Sequence, residues 1–236
     1  MSNIKYNGTS LESLGIIVEK IPPIIKGARR YQKYTIPGRN GVLWVDEETY
    51  EPFTISLECH FNEDDVDVDF INKSLNIDGK LSLDGVRYYE AYINNIIEYE
   101  KVQYFRKFIL SFLCNPISYE IAEQVYTYDP NIVNQMELPG NTYTDPIIEV
   151  IGSGQIIISI DTGDSSHSRG FTLNANGSQY PYKIDCAAKE ITQNGVNKSA
   201  DMNGEFPTLS PNINVLNVSG TGTITSIKVK YHNAYL

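Results

Sequence analysis

Histidine side chains are the commonest carriers of acid–base and metal chemistry near neutral pH. The sequence has three of them, His60, His167 and His232, which are isolated from one another along the chain. None belongs to an HExxH string or a similar pair, the spacing that presents two imidazoles to one zinc ion. The pattern favours structural or surface roles, and no catalytic or metal-binding residue is predicted from the histidines.

A second candidate for chemistry is the acidic stretch from Glu63 to Asp69, which superficially resembles a calcium loop. Phe70 stands where glycine is needed for the sharp turn, and Asn76 replaces the closing glutamate, so the EF-hand pattern fails. Apolar residues recur there at spacings near four, and carboxylates favour the positive end of a helix. The stretch therefore predicts the start of a solvated helix at about 64–78, ended by Gly79.

Motifs for nucleotide binding or covalent catalysis are missing from the sequence. Gly152-Ser153-Gly154 lacks the third glycine and the following helix of a dinucleotide fingerprint. The chain contains neither a P-loop nor a GxSxG string. A glycosidase needs two positioned carboxylates, and sequence spacing alone does not single out such a pair. We therefore predict that the protein is not an enzyme and requires no cofactor.

The three cysteines, Cys59, Cys114 and Cys186, lie far apart and form no CxxC pair. An odd number of such cysteines indicates neither a disulfide framework nor a zinc site. The pattern favours a reducing place of synthesis.

Composition and charge restrict the class of protein further. The chain has 236 residues, of which 41% are hydrophobic and 20% charged, as is typical of a globular protein of one large or two ordinary domains. Its formal net charge of −10 argues against a grip on nucleic acid, whose phosphates it would repel. The sequence shows neither an export signal nor an apolar run of about 18 residues. We expect synthesis in the cytoplasm and no membrane association.

The region 28–45 reads as a hairpin with an extended tip. Its two strands flank Pro37-Gly38 and Asn40-Gly41, which supply the fixed and positive φ angles that a chain reversal requires. Few aliphatic residues are available to hold this hairpin against a core. Its aromatic and cationic side chains are of the type enriched in protein interfaces. They are Arg29, Arg30, Tyr31, Tyr34, Arg39 and Trp44.

Other strands of the first half follow from period-two alternation and turn residues. The clearest is Phe53 to Phe61, in which alternate positions are apolar. A short strand is expected in Leu14 to Ile25, stopped by a proline pair. A long hairpin is expected from 88–99 and 102–114, reversing at Glu100-Lys101 and stopped by Asn115-Pro116.

The second half reads as a β-sandwich of short strands. Turn-rich residues 117–144 mark a domain boundary, so we predict one domain at 1–124 and a linker with a second domain at 125–236. Strands are expected at 146–151, 155–160, 170–173, 181–184, 213–218 and 223–231, with turns at 152–154, 161–164 and 219–222. The predicted fold class is mostly β with one helix.

These elements, in this order and with particular residue strings, resemble the phage distal tail protein (Dit) family of siphophage-type tails. In the first half the resemblance is carried by Gly15-Ile16-Ile17-Val18-Glu19, Ile36-Pro37-Gly38-Arg39-Asn40-Gly41, Gly79-Lys80-Leu81, Tyr88-Tyr89-Glu90-Ala91-Tyr92-Ile93 and Phe112-Leu113-Cys114-Asn115-Pro116. In the second half it is carried by Asn134, Pro146-Ile147-Ile148-Glu149-Val150, Ile184-Asp185-Cys186 and Gly204-Glu205-Phe206-Pro207-Thr208-Leu209.

The resemblance implies a structural hub at the tail tip of a phage or prophage virion. It implies a ring-forming N-terminal β-domain whose hairpin reaches a neighbouring subunit, and a galectin-like C-terminal β-sandwich. Six copies are expected to form the ring. The implied partners are the tail tube protein and tail-associated lysin, fibre or baseplate proteins, and DNA passes through the channel without specific binding.

A carbohydrate-binding adhesion module is the alternative function, because galectin-like folds can be lectins. A sugar site needs an aromatic platform with convergent polar groups. Tyr180, Tyr182 and Phe206 are the candidates for saccharide contact, although such residues more often fill or edge the core of a sandwich. A tail-associated hydrolase is a third, less favoured class.

Overall fold

The structure is a computed structural model, which describes residues 4–20, 22–23, 26–61, 68–75, 77–94, 100–102 and 105–236. The chain divides into two compact units, residues 1–121 with Leu236, and Ala122–Tyr235. Strands dominate both units, and the described residues contain a single α-helix. The mostly β fold class with one helix is therefore confirmed.

The first unit is an antiparallel sheet with one helix and a separate hairpin. Its strands are β1 (Lys5–Tyr6), β2 (Thr9–Ser10), β3 (Ile16–Lys20), β4 (Arg29–Tyr34), β5 (Leu43–Tyr50), β6 (Phe53–Phe61), β7 (Gly79–Ser82), β8 (Arg87–Ile93), β9 (Glu100–Val102) and β10 (Phe105–Glu120). The helix α1 is Val68–Leu75, and a 3-10 turn spans Glu12–Leu14. The sheet order is β2-β1-β7-β8-β10-β6-β3, β9 pairs with β10, and β4 pairs with β5.

The core of this unit lies on one face of the sheet. Strand β6 alternates as its sequence predicts, with Ile55, Leu57, Cys59 and Phe61 buried and the intervening residues facing outward. Helix α1 contributes Ile71 and Leu75 to the same core, since residues four apart share one helical face. Burying each such aliphatic side chain contributes about 1.5–3 kcal/mol relative to leaving it exposed.

Two expectations for the long hairpin are wrong. Glu100 and Lys101 lie in β9 and pair with Lys107 and Arg106, so the chain does not reverse there. Strand β10 also does not stop at Asn115-Pro116 but continues to Glu120. A register shift between Cys114 and Ser118 accommodates Pro116, because a bulge needs no ladder hydrogen bond from the proline nitrogen.

The start of the predicted helix lies mostly outside the described residues. Residues 62–67, which include most of the acidic stretch, are not among the described residues. Asn76, near the other end of the predicted helix, is not among them either. Within the described part, Asp69 lies in the first turn of α1. A carboxylate there is favoured by the positive end of the helix dipole.

Ten strands of the second unit form one sheet around a single core. They are β11 (Gln124–Thr127), β12 (Gln135–Glu137), β13 (Ile147–Asp161), β14 (Arg169–Asn176), β15 (Tyr182–Asp185), β16 (Glu190–Gln193), β17 (Val196–Asn197), β18 (Met202–Gly204), β19 (Ile213–Gly220) and β20 (Thr223–Tyr231). The first part of β13 lies between β20 and β15, and its last part lies between β14 and β19. The final strand, β21, is Ala234–Tyr235.

The turn expected at 152–154 is wrong, because β13 is one continuous strand through these residues. Its pairing with β20 shifts register between Ile151 and Gly152, and Gly154 has a φ of 79°. The glycines therefore bend the strand rather than reversing it, and its two parts pair with different neighbours. A side chain at Gly152 would lie 2.5 Å from the carbonyl oxygen of Thr223, so this close approach requires glycine.

No helix among the described residues is long and apolar enough to span a membrane.

Candidate functional site

The hairpin formed by β4 and β5 is exposed along almost its whole length. Within the described residues these two strands pair only with each other, and every residue from 31 to 49 is exposed. The large side chains Tyr31, Tyr34 and Trp44 are 47%, 49% and 53% exposed. A two-stranded hairpin in water is marginally stable at best, and this one gains no core of its own.

The hairpin carries large apolar side chains on both faces. Cross-strand pairing places Tyr31 and Lys33 on the same face as Trp44. The Tyr31 and Trp44 rings meet edge to face with centroids 6.1 Å apart, and the Lys33 ammonium lies 4.6 Å from the Trp44 ring. We call this surface the aromatic face. Tyr34, Leu43 and Val45 lie on the opposite face, and all three are exposed.

The base of the hairpin is fixed to the sheet of its own unit. Gly27 packs against Pro116 of β10, and a β-carbon at Gly27 would lie 2.8 Å from that of Pro116. The backbone N–H of Glu51 donates to the carbonyl of Ala28 at 2.7 Å. Only glycine permits the close approach of residue 27 to Pro116, and this contact fixes the point at which the hairpin leaves the sheet.

An irregularity near the base sets the twist of the hairpin. Register shifts between Arg29 and Tyr31, and Glu48 has a φ of 56°. The N–H of Glu48 donates to the Asp46 carboxylate at 2.9 Å, which stabilises this left-handed residue. Bulges of this kind increase local twist and redirect the following side chains.

Ion pairs hold the shape of the hairpin but contribute little free energy. Arg29 pairs with Asp46 at 2.7 Å on the aromatic face, and Arg30 pairs with Glu51 at 2.8 Å near the base. Water and salt screen exposed pairs of this type, so they add little to stability. The two strands are thus ordered largely by local contacts, while their apolar surface stays in water.

The structure places the six predicted interface residues as follows. Arg29, Tyr31 and Trp44 share the aromatic face. Arg30 lies at the base, and Tyr34 lies on the opposite face, where its hydroxyl bonds the Gln32 side chain. Arg39 lies in the tip turn, with its N–H donating to the Ile36 carbonyl at 3.1 Å. Sequence reasoning missed the second apolar face, for which the signal was the run from Val42 to Val45.

The three aromatic residues proposed for saccharide contact occupy different environments. Tyr182 is 1% exposed, and its hydroxyl donates to Asp201 at 2.8 Å, so its ring belongs to the core. Phe206 packs partly buried against that core, with the Lys189 ammonium 5.6 Å from its ring. Tyr180 is exposed. Of the three, one ring alone is presented to solvent.

A serine, a histidine and an aspartate meet in the turn between β13 and β14. The hydroxyl of Ser166 lies 2.8 Å from Nδ1 of His167, and an Asp164 carboxylate oxygen lies 2.9 Å from the same nitrogen. A hydrolase triad uses opposite ring nitrogens for its serine and its carboxylate. The Tyr143 ring stacks on His167 at 4.3 Å. The cluster therefore orders the turn and lacks the geometry of a nucleophilic triad.

Acid should weaken this turn at a defined pH. Hydrogen bonds from Ser166, and then from His167, lower the pKa of Asp164 to about 2. Since this lies below the unfolded value of about 3.9, the carboxylate stabilises the fold at neutral pH and loses that effect as pH falls through about 2. In urea titrations, the difference in free energy of unfolding between wild type and Asp164→Asn should be constant above about pH 5 and shrink from about pH 4 downward. A difference unchanged at about pH 2 would contradict this.

The three cysteines are free and buried. Burial raises the pKa of the Cys59, Cys114 and Cys186 thiols to about 12 in each case. The thiolate is the nucleophile, so these side chains are poor candidates for catalysis. We expect no rapid reaction of the native protein with a disulfide reagent at neutral pH, and reaction of all three thiols in urea. Val133→Cys, at an exposed position, is the positive control and should react at once.

No group of three or more histidine, cysteine or carboxylate side chains lies close enough to hold a metal ion in the described part of the chain. His60 instead lies 3.1 Å from Glu19, which also pairs with Lys107 at 3.0 Å. The prominent feature of the first unit is the exposed hairpin.

No model of a known protein family matches the sequence, and no curated protein matches it. Among solved structures, the chain is similar to the SPP1 Dit protein, described as a paradigm of the hub adsorption apparatus in phages that infect Gram-positive bacteria. That similarity has a TM-score of 0.75 and 15% identity, and it covers 100% of both chains. Two structures of the phage P2 baseplate in its activated conformation, with Ca and with Sr, give TM-scores of 0.49 and 0.47. Both share 8% identity over 92% of this chain and 90% of theirs.

The similarity to SPP1 Dit covers the whole of this chain and therefore both units. The chain therefore has a Dit-type fold. A fold supports many functions, so the role of this protein is argued from its own surfaces.

Proposed function

We propose that this protein is a structural hub at the tip of a phage tail. In this proposal, six copies close into a ring that joins the tail tube to tail-associated lysin, fibre or baseplate proteins and leaves a channel for DNA. Residues 1–124 form the ring, and 125–236 form an outward galectin-like domain. The protein performs no chemistry and needs no cofactor.

The exposed hairpin on a Dit-type fold is the observation that carries this proposal. Monomeric proteins rarely leave a contiguous apolar surface in water, and such a surface usually marks an interaction site. Here Tyr31, Trp44 and Tyr34 project from an element that has no core. Tyrosine, tryptophan and arginine are the side chains that dominate the binding energy of interfaces.

The charge of the chain suits a ring through which DNA passes. A net charge of −10 repels phosphate and so disfavours tight, sequence-independent binding of nucleic acid. DNA would then slide through the channel of the ring without adhering to its wall. A positive electrostatic potential along the bore of the assembled ring would contradict this part of the proposal.

Size measurement of the purified full chain tests the ring directly. Light scattering after size exclusion should give a mass near six times 26.6 kDa, and negative-stain micrographs should show rings. Deletion of Pro37 to Gly41, which removes the tip and the reversal of the hairpin, should reduce the mass to that of smaller species. A protein that is monomeric both alone and with its tail tube partner would refute the hub.

Of the three aromatic residues predicted to contact a saccharide, only Tyr180 has an exposed ring. Sugar binding is therefore the weaker alternative. A lectin site needs several convergent groups around its aromatic platform. If the chain nevertheless sediments with bacterial cell walls, and Tyr180→Ala abolishes this, the adhesion function is correct. If the protein instead degrades cell walls, it is a tail-associated hydrolase.

A further inference from the structure

Asparagine followed by glycine is a dipeptide that can lose its side-chain amide without an enzyme. Asparagine is chemically labile, and glycine lacks a β-carbon, so the glycine nitrogen can approach the preceding side chain without hindrance. The chain contains five such asparagines, and all of them are exposed, so access to solvent does not distinguish them. They are Asn7, Asn40, Asn176, Asn194 and Asn203.

Hydrogen bonds restrain the dipeptide at Asn176 most strongly. The Asn176 amide donates to the Gln193 side chain at 2.8 Å, and its oxygen accepts from the Ser178 N–H at 3.0 Å. The N–H of Gly177, whose nitrogen would have to react, donates to the Gly152 carbonyl at 3.0 Å. Both reacting groups are therefore engaged in other contacts.

Contacts with neighbouring strands restrain two further asparagines. The Asn7 oxygen accepts from the Lys80 N–H of β7 at 2.8 Å. Asn203 lies within β18 and pairs with Thr172 of β14. Neither asparagine can reorient until these contacts open, so the folded structure should slow reaction at both positions.

A tight turn restrains Asn194. This residue and Gly195 join β16 to β17, and their φ angles are 49° and 76°. The pair formed by Gln193 and Val196 closes the turn. Positive φ at both central residues is typical of a type I′ turn, whose backbone matches the twist of the two strands that flank it. The flanking strands therefore hold the backbone of Asn194 in one conformation.

Asn40 differs from the other four asparagines. It lies in the longer loop 35–42 at the tip of the hairpin, between β4 and β5. In the part of the chain that the structure describes, no hydrogen bond involves the Asn40 side chain or the N–H of Gly41. A β-carbon at Gly41 would have no atom within 4 Å, so the space around the dipeptide is open. Exposed loops are also more mobile than the strands that they connect.

We propose that Asn40 is a site of spontaneous deamidation in the folded protein. The Gly41 nitrogen loses its proton to solvent and attacks the side-chain carbonyl carbon of Asn40. The bond from that carbon to the amide nitrogen breaks, and the nitrogen takes up a proton and leaves as ammonia. Water then opens the resulting cyclic succinimide at either carbonyl, which gives aspartate or isoaspartate. The reaction consumes water, releases ammonia and changes no oxidation state.

Deamidation would change both the charge and the shape of the hairpin tip. Either product adds a negative charge at neutral pH to a chain whose formal net charge is −10. This charge would lie next to the exposed Arg39. Isoaspartate also lengthens the backbone by a carbon atom at the chain reversal. The inference needs only the open tip and does not rest on the proposed hub.

Peptide mapping by mass spectrometry, after incubation of the full chain at mildly alkaline pH, measures the rate at each asparagine. Asn40 should convert at least roughly tenfold faster than Asn194, which corresponds to about 1.4 kcal/mol in activation free energy. Asn176 should convert more slowly still, because its hydrogen bonds must open first. In urea, which removes these restraints, all five asparagines should convert at similar rates.

Two variants make the test decisive. Asn40→Gln keeps the amide but lengthens the side chain, so it should abolish the fast reaction and leave the other four rates unchanged. The same mapping is carried out on wild type and on the Tyr31→Ala, Trp44→Ala double variant, because contacts between copies can cover the tip. Fast conversion of Asn40 in either protein supports the site, and conversion in the double variant alone also supports assembly through the hairpin. A rate at Asn40 no faster than at the other four in both proteins overturns the proposal and leaves the hub untouched.

Discussion

Replacing Tyr31 and Trp44 together by alanine is expected to convert rings into monomers. Interface residues of this type contribute about 2 kcal/mol or more each when truncated, so the double change should weaken each contact by about 4 kcal/mol, roughly a thousandfold. In the single chain Tyr31 is 47% exposed and Trp44 is 53% exposed, so both side chains are available to a partner. Mass by light scattering over a range of concentrations measures the effect.

Folding of each unit should survive this double change. The Tyr31 ring meets the Trp44 ring, and the Lys33 ammonium lies over the Trp44 ring. Cross-strand pairs of this kind contribute about 0.2–1 kcal/mol. The control replaces Ile132 and Val133 by alanine, since both are exposed aliphatic residues of the second unit. Rings that persist in the Tyr31 and Trp44 variant, or vanish in the control, would show that the hairpin does not direct assembly.

Asn214→Leu is expected to destabilise the protein by about 3 kcal/mol, since about 1 kcal/mol is lost for each of three hydrogen bonds. The Asn214 side chain is fully buried, and its oxygen accepts from the Ser210 N–H at 2.8 Å. Its amide donates to the carbonyls of Ser210 at 3.0 Å and Asn212 at 3.2 Å. Leucine has a similar size but leaves these backbone groups without partners.

Urea unfolding measures this loss, and Asn217→Leu is the matched control. Asn217 lies three residues further along β19 but is exposed, so the same substitution should change the free energy of unfolding by less than about 0.5 kcal/mol. Equal effects at both positions would mean that the buried hydrogen bonds of Asn214 contribute nothing to stability.

Strong local patterns allowed much of the architecture to be predicted. Strand β6 matches its alternating sequence at both ends, because one buried face imposes a period of two. Gly38 and Gly41 in the hairpin tip both have positive φ, as their turn sequence requires. Short, polar strands such as β17 and β18 were not predicted, since their pairing depends on neighbours distant in sequence.

The sequence predicted which residue types the hairpin carries, but it did not predict how exposed their side chains are. The sequence identified Tyr31, Tyr34 and Trp44 as an aromatic cluster on a hairpin. Whether those side chains fold onto a core or project into water depends on the packing of other strands. None of the other strands in the described part of the chain pairs with the hairpin. The same limit applies to Tyr182, since a tyrosine on an alternating strand faces inward or outward according to register.

By itself, the sequence determined the mostly β class, the single helix and the location of the hairpin, because these follow from local periodicity and turn chemistry. Only the tertiary structure decided that β13 bends at Gly152 instead of turning, and that β10 runs through Pro116. It also decided that the hairpin, beyond its base, has both faces exposed. The physical reason is that burial and bulges are set by contacts between residues far apart in sequence, which no local pattern encodes.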